Sequence, residues 1–224
     1  MINDFSQITS FFEELNGLLK RNTDVFLIGG GALMKYDLRD ETKDIDIIVS
    51  TEEEFDVLVA AFLSLGFEKR HPDDVIYGRM AISDILIRGI YRIDLFCKVV
   101  CGKFALSERM KERASLESTI NKARLFICSL NDIFLFKCMT ERDGDLIDCF
   151  RMATEYELNW GAVLDEAVEQ SVRGRGTWIT WVTDRMEELD ERGVNIPVLN
   201  KMIALSDELM NRRAKETEER DPDI

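Results

Sequence analysis

The sequence contains few of the residues that build zinc and redox sites. It has one histidine, His71, and five cysteines, none of which form a CxxC pair. Structural zinc sites need several Cys or His ligands at short spacing, so a zinc site is poorly supported. An odd number of cysteines in apolar surroundings is typical of reduced, buried thiols. We therefore expect a cytoplasmic protein.

Long apolar runs are also missing. No stretch approaches the roughly 18 consecutive apolar residues of a membrane span. The first residues, MINDFSQITS, have neither the basic flank nor the apolar run of a secretory signal. Apolar residues still make up 46% of the 224 residues. That fraction is enough for a sizeable core, and we expect no membrane partner.

Positive charge is scarce. The chain has 29 Lys and Arg residues against 43 Asp and Glu residues, a formal net charge of -14. Binding along a nucleic-acid backbone relies on clustered Lys and Arg, so broad binding to duplex DNA is disfavoured. A local basic patch would still be compatible with an RNA end or a triphosphate.

The pattern of apolar residues predicts a mixture of helices and strands over the first part of the chain, including three successive antiparallel strands. Helical spacing predicts helices over residues 5–19, over residues 32–36 and after a capping box formed by Thr51 and Glu54. Residues 106–118 are polar and predict a helix or a loop. The segments that predict strands are residues 24–28, residues 44–49, VIYGRMAI, DILIRG, YRIDLFCKVV and ARLFICS.

From Leu130 onward the pattern is helical, with breaks near Gly161, residues 174–176 and residues 193–197. We therefore predict an α+β fold in which a mixed β-sheet with flanking helices is followed by a C-terminal helical region. The core is expected over residues 1–129 and the helical region over residues 130–214. Residues 215–224 are expected to form a frayed acidic tail.

One stretch combines a glycine turn with two aspartates. The apolar run DVFLI ends at Gly29, Gly30 and Gly31, which predicts a buried strand entering a tight turn before a helix. Glycine lacks a Cβ, so backbone N–H groups at the turn can approach a phosphate, whose charge a helix N-terminus favours. Asp44 and Asp46 lie two apart on the next predicted strand and share one face. Two such carboxylates suit Mg²⁺ bound together with substrate phosphates.

A third carboxylate, Asp94, lies within the apolar run YRIDLF. A carboxylate in an apolar strand is costly unless it is paired or binds metal. If its strand neighbours that of Asp44, the three aspartates form a triad. Metal ions held there would activate an acceptor hydroxyl and stabilise a leaving pyrophosphate.

These residues resemble the nucleotidyltransferase superfamily of the polymerase-β type. Its pattern is a glycine pair opening a helix, then Asp-x-Asp on the next strand, then an acidic residue on a later strand. The matching residues are Gly29, Gly30, Asp44, Asp46 and Asp94. The resemblance implies the nucleotidyltransferase fold, Mg²⁺ or Mn²⁺ as cofactor, and transfer of an NMP from an NTP to an acceptor hydroxyl. The family often has Gly-Ser in the turn, and Gly31 here removes one hydroxyl contact.

Within the superfamily, the run from Leu38 to Asp46 is similar to the AbiEii-type toxin branch and related uncharacterised prokaryotic proteins. A second match is SLNDIFLFKCMTERDGDLIDCFRM, which is similar to that branch's downstream helix pair. The matching residues there are Lys137, Arg142, Asp145 and Asp148. The resemblance implies that Lys137 contacts nucleotide phosphates and that Asp148 orients Lys137 or the acceptor. It covers residues 24 to 155 and adds an antitoxin-like protein as a candidate partner.

Simpler interpretations of the first motif stay open. The glycines would then only shape a turn, and Asp44 and Asp46 would form a charged, soluble strand edge. Asp94 would face the surface. Arg39 and Lys43 flank the aspartates, and each would either reach a phosphate or balance the carboxylates.

The second motif also has a simpler interpretation. Lys137 would extend from an apolar helix toward water, and Asp145 and Asp148 would be charges at the start of a helix.

The acceptor is left open by the sequence: an RNA end, a protein or a small molecule. Two other functions also stay open. One is that of a non-catalytic nucleotide- or partner-binding member of the fold, and the other is that of the toxin component of a toxin–antitoxin pair.

Overall fold

The computed structural model describes residues 1–70, 84–100, 104–120, 122–173 and 178–220. The helices in these segments are α1 (Phe5–Asn16), α2 (Gly29–Lys35), α3 (Glu52–Ser64), α4 (Glu108–Arg113), α5 (Leu130–Cys138), α6 (Asp143–Glu155), α7 (Trp160–Arg173), α8 (Trp178–Asp190) and α9 (Leu199–Arg220). The strands are β1 (Thr23–Ile28), β2 (Ile45–Val49), β3 (Glu68–Arg70), β4 (Asp84–Arg88), β5 (Tyr91–Cys97), β6 (Val99–Val100), β7 (Phe104–Ala105), β8 (Ser115–Ile120) and β9 (Ala123–Ile127).

The main sheet is mixed. Its strand order is β3-β4-β5-β2-β1-β9-β8, and β6 and β7 pair separately. At its centre, β2 is antiparallel to β1 and parallel to β5. Strand β1 is in turn parallel to β9. The mixed sheet, the flanking helices and the helical C-terminal part confirm the predicted α+β class.

The chain forms two compact units, Met1–Phe136 and Lys137–Ile224. The division falls within α5, further along the chain than the boundary expected after residue 129. In the first unit, an aromatic cluster joins α1 to α3, because the ring of Phe11 stacks on that of Phe62 at 5.4 Å. In the second unit, apolar side chains of α7 and α8 are buried, among them Val163, Val182 and Met186.

Local capping fixes where several helices begin. The predicted box of Thr51 and Glu54 is confirmed at the start of α3, where each side chain accepts the other residue's backbone N–H. Helix α1 begins with a similar box at Asp4 and ends at Asn16, earlier than predicted, with Gly17 as its C-cap. The predicted break near Gly161 lies instead at residues 156–159. There the Asn159 side chain accepts the backbone N–H of Ala162 at 3.0 Å, so α7 already begins at Trp160.

Three other sequence-based expectations were wrong in detail. Residues 115–118 belong to strand β8, because this polar segment pairs as a hairpin with β9. Helix α2 begins at Gly29 rather than at residue 32. The run YRIDLFCKVV is split between β5 and β6 at Lys98, whose φ is +63°.

The last helix extends further than expected. It continues to Arg220, into the segment predicted to be a frayed tail. The predicted strand VIYGRMAI, His71 and the break at residues 174–176 lie outside the described residues.

The cysteines of the described segments carry thiols and form no disulfide there. Cys128, Cys138 and Cys149 are buried, and Cys97 is half-buried. Burial raises the pKa of Cys128 well above its ordinary value. Cys101 lies outside the described residues. Among the helices of the described segments, none combines the length and the apolar character needed to cross a membrane.

Candidate active site

The three glycines lie at the junction of β1 and α2, and each meets different neighbours. Gly29 has a φ of +63°, and a Cβ built on it would lie 2.0 Å from Oδ2 of Asp46. The Asp46 carboxylate therefore packs directly against the backbone of the turn. A Cβ on Gly30 would lie 2.7 Å from Oγ1 of Thr42 and 3.2 Å from Nη1 of Arg39. Glycine thus admits three polar side chains to this turn.

Gly31 has a structural role. A Cβ on it would meet the apolar side chains of Ile8 and Leu27 at 3.2 and 3.5 Å. This glycine therefore faces the core, where it allows α2 to approach α1 and β1. Its backbone still belongs to the same turn as Gly29 and Gly30.

Sheet pairing brings two of the aspartates side by side. Asp46 on β2 is the antiparallel partner of Ile28 and the parallel partner of Asp94 on β5. The expectation that the strand of Asp94 neighbours the aspartate pair is thus confirmed. Asp44 lies one residue before β2 and is half-buried. The hydroxyl of Thr42 donates to the Asp44 carbonyl at 2.9 Å and so ties down the loop before the strand.

Asp94 is buried, with 2% of its surface exposed, and it is held by an arginine. The Nε of Arg92 donates to Oδ1 of Asp94 at 2.8 Å, and Nη2 of Arg92 donates to Oδ2 at 3.0 Å. The same Nε lies 3.4 Å from Oδ1 of Asp44. One guanidinium therefore contacts both Asp94 and Asp44. Asp94 does not face the surface, so the simpler interpretation for it is wrong.

The donor set fits a divalent cation in its chemistry. Carboxylate oxygens are the hard ligands that Mg²⁺ and Mn²⁺ prefer. The Asp44 and Asp94 carboxylates already stabilise one positive charge, that of the Arg92 guanidinium. As placed, however, no three Asp, Glu, His or Cys side chains in the described segments lie close enough together to hold a metal ion.

The two basic residues that flank the aspartates differ in position. Arg39 is half-buried, and its guanidinium reaches the Gly30 turn, where Nη1 lies 3.2 Å from the position of a Cβ on Gly30. Lys43 is exposed. The structure thus brings Gly29, Gly30, Arg39, Asp44, Asp46 and Asp94 together around the central strands β1, β2 and β5 of the first unit.

The remaining predicted site residues lie in the second unit. The ammonium of Lys137 pairs with Asp145 at 2.7 Å and with Asp148 at 2.5 Å. Lys137 is 7% exposed. It therefore does not extend toward water, and that simpler interpretation is wrong for this lysine.

A hydrogen-bond network surrounds this buried lysine. Asp145 also accepts from Nε of Arg142 at 2.7 Å and from the hydroxyl of Thr140. The Thr140 carbonyl accepts from Nη2 of Arg185 at 2.6 Å, which connects α8 to the cluster. Every partner on this path is charged or polar, as a buried ion pair requires.

Burial and ion pairing act in opposite directions on these groups. Burial alone would lower the pKa of Lys137, but the Asp145 and Asp148 carboxylates raise it above its ordinary value. Burial alone would raise the pKa of Asp145, but Lys137 and Arg142 lower it to about 2. Both groups are therefore charged at neutral pH.

Sequence reasoning missed Arg92 and the hydroxyl of Thr42 as parts of the site. A signal for Arg92 was present, since it lies two residues before Asp94 on the same strand and so on the same face. Its contact with Asp44 depends on which strands are neighbours, and the sequence does not specify that.

A comparison with protein families gives the chain its class. Residues 6–174 match the model of the family described as "Nucleotidyltransferase of unknown function (DUF6036)". The chain belongs to this family. The predictions of a nucleotidyltransferase and of an enzyme are thereby confirmed, whereas the polymerase-β type and the relation to the AbiEii-type branch stay predictions. A search of curated proteins found no match.

Solved structures of ANT(2″)-Ia show a distant similarity. One is a crystal structure in complex with adenylyl-2″-tobramycin, with 15% identity, a TM-score of 0.42, and coverage of 82% of this chain and 98% of that one. The other is a solution structure of this antibiotic-resistance factor, with 16% identity, a TM-score of 0.42, and coverage of 85% and 98%. A similarity of this size assigns neither an acceptor nor any residue role to this nucleotidyltransferase.

Gly29→Ala should disrupt the site beyond its effect on the turn. The added Cβ would collide with the Asp46 carboxylate, and the positive φ would add strain of about 1–2 kcal/mol. We expect loss of nucleotidyl transfer together with a lower Tm. Transfer of label from an α-labelled NTP and thermal unfolding would measure the two effects.

Gly89→Ala is the matched control, because Gly89 has a φ of +58° and open space where a Cβ would go. It should lower the Tm through strain and leave transfer intact. Equal transfer by the two variants would contradict the close packing of Asp46 on Gly29.

Asp145→Asn should remove a stabilisation that depends on pH. The folded pKa of about 2 lies below the ordinary 3.8, so ionised Asp145 stabilises the fold above pH 3.8. This stabilisation, on the order of 2 kcal/mol, is lost as the pH falls through about 2. Urea unfolding should be measured between pH 7 and pH 3. The difference in free energy of unfolding between wild type and variant should become smaller as the pH falls.

Glu155→Gln is the control for this prediction. Glu155 pairs with Arg151 on the surface, where an ion pair contributes little. Two results would contradict the pH-dependent stabilisation by Asp145. One is a difference in free energy of unfolding that does not change with pH, and the other is an equal loss of stability in the Glu155 variant.

Proposed function

We propose that this member of the family is a metal-dependent enzyme that moves an NMP from an NTP to an acceptor hydroxyl and releases pyrophosphate. The observation that carries the proposal is the position of Asp46. It packs on the Gly29 turn and stands in register with Asp94. A phosphate against the turn would therefore lie next to the carboxylates.

Asp44, Asp46 and Asp94 would hold Mg²⁺ or Mn²⁺. A divalent cation bound there supplies positive charge for the phosphoryl oxygens and for the leaving pyrophosphate. Pairing of β2 with β5 fixes the backbone positions of Asp46 and Asp94. These two carboxylates therefore need little movement to bind the same cation. The side chain of Asp44 is 31% exposed and that of Asp94 is 3% exposed, so Asp44 is easier to reposition than Asp94.

The phosphates would lie against Gly29, Gly30 and Gly31. The backbone N–H groups of the turn would donate to the phosphates, and the guanidinium of Arg39 at the Gly30 turn adds positive charge. Lys43, exposed beside Asp44, would contact the outer phosphates. These groups would hold the triphosphate so that the acceptor reaches its α-phosphorus in line.

Asp94 would position the acceptor hydroxyl and take its proton. The acceptor oxygen then bonds to the α-phosphorus while the bond from the α-phosphorus to the bridging oxygen breaks. Pyrophosphate leaves with that oxygen and its electron pair.

Roles for Lys137 and Asp148 toward the nucleotide rest on the resemblance alone, and contact of Lys137 with a phosphate would have to replace an ion pair of the second unit.

The acceptor class follows from one experiment. The protein would be incubated with each α-labelled NTP, Mg²⁺ and a cell extract, and the RNA, protein and small-molecule fractions would then be separated. We expect label in one fraction, at least a hundred-fold less with Asp44→Asn or Asp46→Asn, because each removes a charge that the transition state needs.

Asp40→Asn is the matched control, since Asp40 is an exposed aspartate of the same loop. It should label as well as wild type. Undiminished labelling by the Asp44 and Asp46 variants would contradict the site. Absence of label from folded wild-type protein with every NTP would favour a non-catalytic binding function.

A further inference from the structure

Arg92 belongs to the site but has no role in the proposed reaction. Its guanidinium holds both oxygens of Asp94, at 2.8 and 3.0 Å, and its Nε lies 3.4 Å from Asp44. The Arg92 side chain is 22% exposed, whereas that of Asp94 is 3% exposed. The positive group therefore lies on the solvent side of a buried carboxylate.

Strand register accounts for this position. Arg92 and Asp94 lie two apart on β5 and share a face. On the neighbouring parallel strand, Ile45 pairs with Ile93 and Asp46 with Asp94. Continuing this register back by one residue brings Asp44 beside Arg92, in agreement with the 3.4 Å distance. The arginine thus follows from the same pairing that assembles the aspartates.

A divalent cation would need the oxygens that Arg92 now contacts. Both Asp94 oxygens are bonded to the guanidinium in a bidentate pair, the strongest geometry for an arginine and a carboxylate. A second cation beside them would also be repelled by the arginine charge, and partial burial would weaken the screening of that repulsion.

We infer that Arg92 is an internal counter-cation that competes with the divalent cation for Asp44 and Asp94. The inference rests on the proposed function only in taking these aspartates as the cation site. Arg92 offsets part of the negative charge of Asp44 and Asp94, and the cation binds by displacing the guanidinium from one or both aspartates. Binding of metal to the protein alone is therefore weaker than three carboxylates would otherwise allow.

A positioning role predicts the opposite result. If Arg92 only aimed Asp94 at a cation, its removal would misplace the carboxylate and weaken cation binding. If Arg92 competes, its removal strengthens cation binding. The sign of the change in affinity therefore separates the two roles.

The test is a titration of the full chain with Mn²⁺ in the absence of nucleotide, with free Mn²⁺ followed by electron paramagnetic resonance. Arg92→Gln should bind Mn²⁺ about ten-fold more tightly than wild type, because it frees oxygens and removes a nearby positive charge. Equal or weaker binding by this variant would overturn the inference. So would a lack of Mn²⁺ binding by both proteins.

Arg92→Lys covers the case in which the glutamine variant does not fold. It keeps the charge but cannot form the bidentate pair, and we expect its Mn²⁺ affinity to be a few-fold above that of wild type. An affinity at or below the wild-type value would again overturn the inference. Mn²⁺ should also raise the Tm of Arg92→Gln more than that of wild type.

Arg124→Gln is the matched control, because Arg124 pairs with Asp24 on β1 and β9, away from the cluster. It should bind Mn²⁺ like wild type. Adding Asp44→Asn and Asp46→Asn to Arg92→Gln should abolish the gain, and a gain that persisted would place the cation elsewhere and overturn the inference. Because no nucleotide is present, a failure of label transfer and a failure of this inference are separate results.

Discussion

The approach of the Asp46 carboxylate to Gly29 is the contact on which the site depends. Ile28 pairs with Asp46 across β1 and β2, so the chain must turn directly beside the carboxylate. Only a residue without a Cβ and with freedom to adopt a φ of +63° fits there. The same β2 strand then sets the position of Asp94 through its parallel pairing with β5. One steric constraint and one register thus assemble the acidic part of the site.

Buried carboxylates of this acidic protein form ion pairs with nearby basic side chains. The net charge is -14, and two clusters of buried carboxylates each contain a basic side chain. Arg92 serves Asp94 in the first unit, and Lys137 serves Asp145 in the second. The two differ in access, since Lys137 is buried on all sides and Arg92 is partly exposed. Exposure makes the arginine the cation that another positive group can replace.

The sequence predicted the features that short segments encode. The Gly29 turn, the spacing of Asp44 and Asp46, and the cap at Thr51 each depend on a few consecutive residues, and the structure contains all three. Features that depend on distant pairing were missed. Strand β8 is polar and becomes a strand only through its hairpin with β9, and the contact of Arg92 with Asp44 needs β2 and β5 to be neighbours. The burial of Lys137 likewise could not be predicted from the sequence of its helix alone.

The glycine turn and the three aspartates should form one site for a nucleotide and a divalent cation. Crystals grown with Mn²⁺ and a non-hydrolysable NTP, measured for anomalous scattering, test it most directly. We expect an anomalous peak at roughly 2.0–2.3 Å from carboxylate oxygens of Asp44 and Asp46, with the phosphates against Gly29 and Gly30. Bound nucleotide with its Mn²⁺ peak at any other group of residues would contradict it.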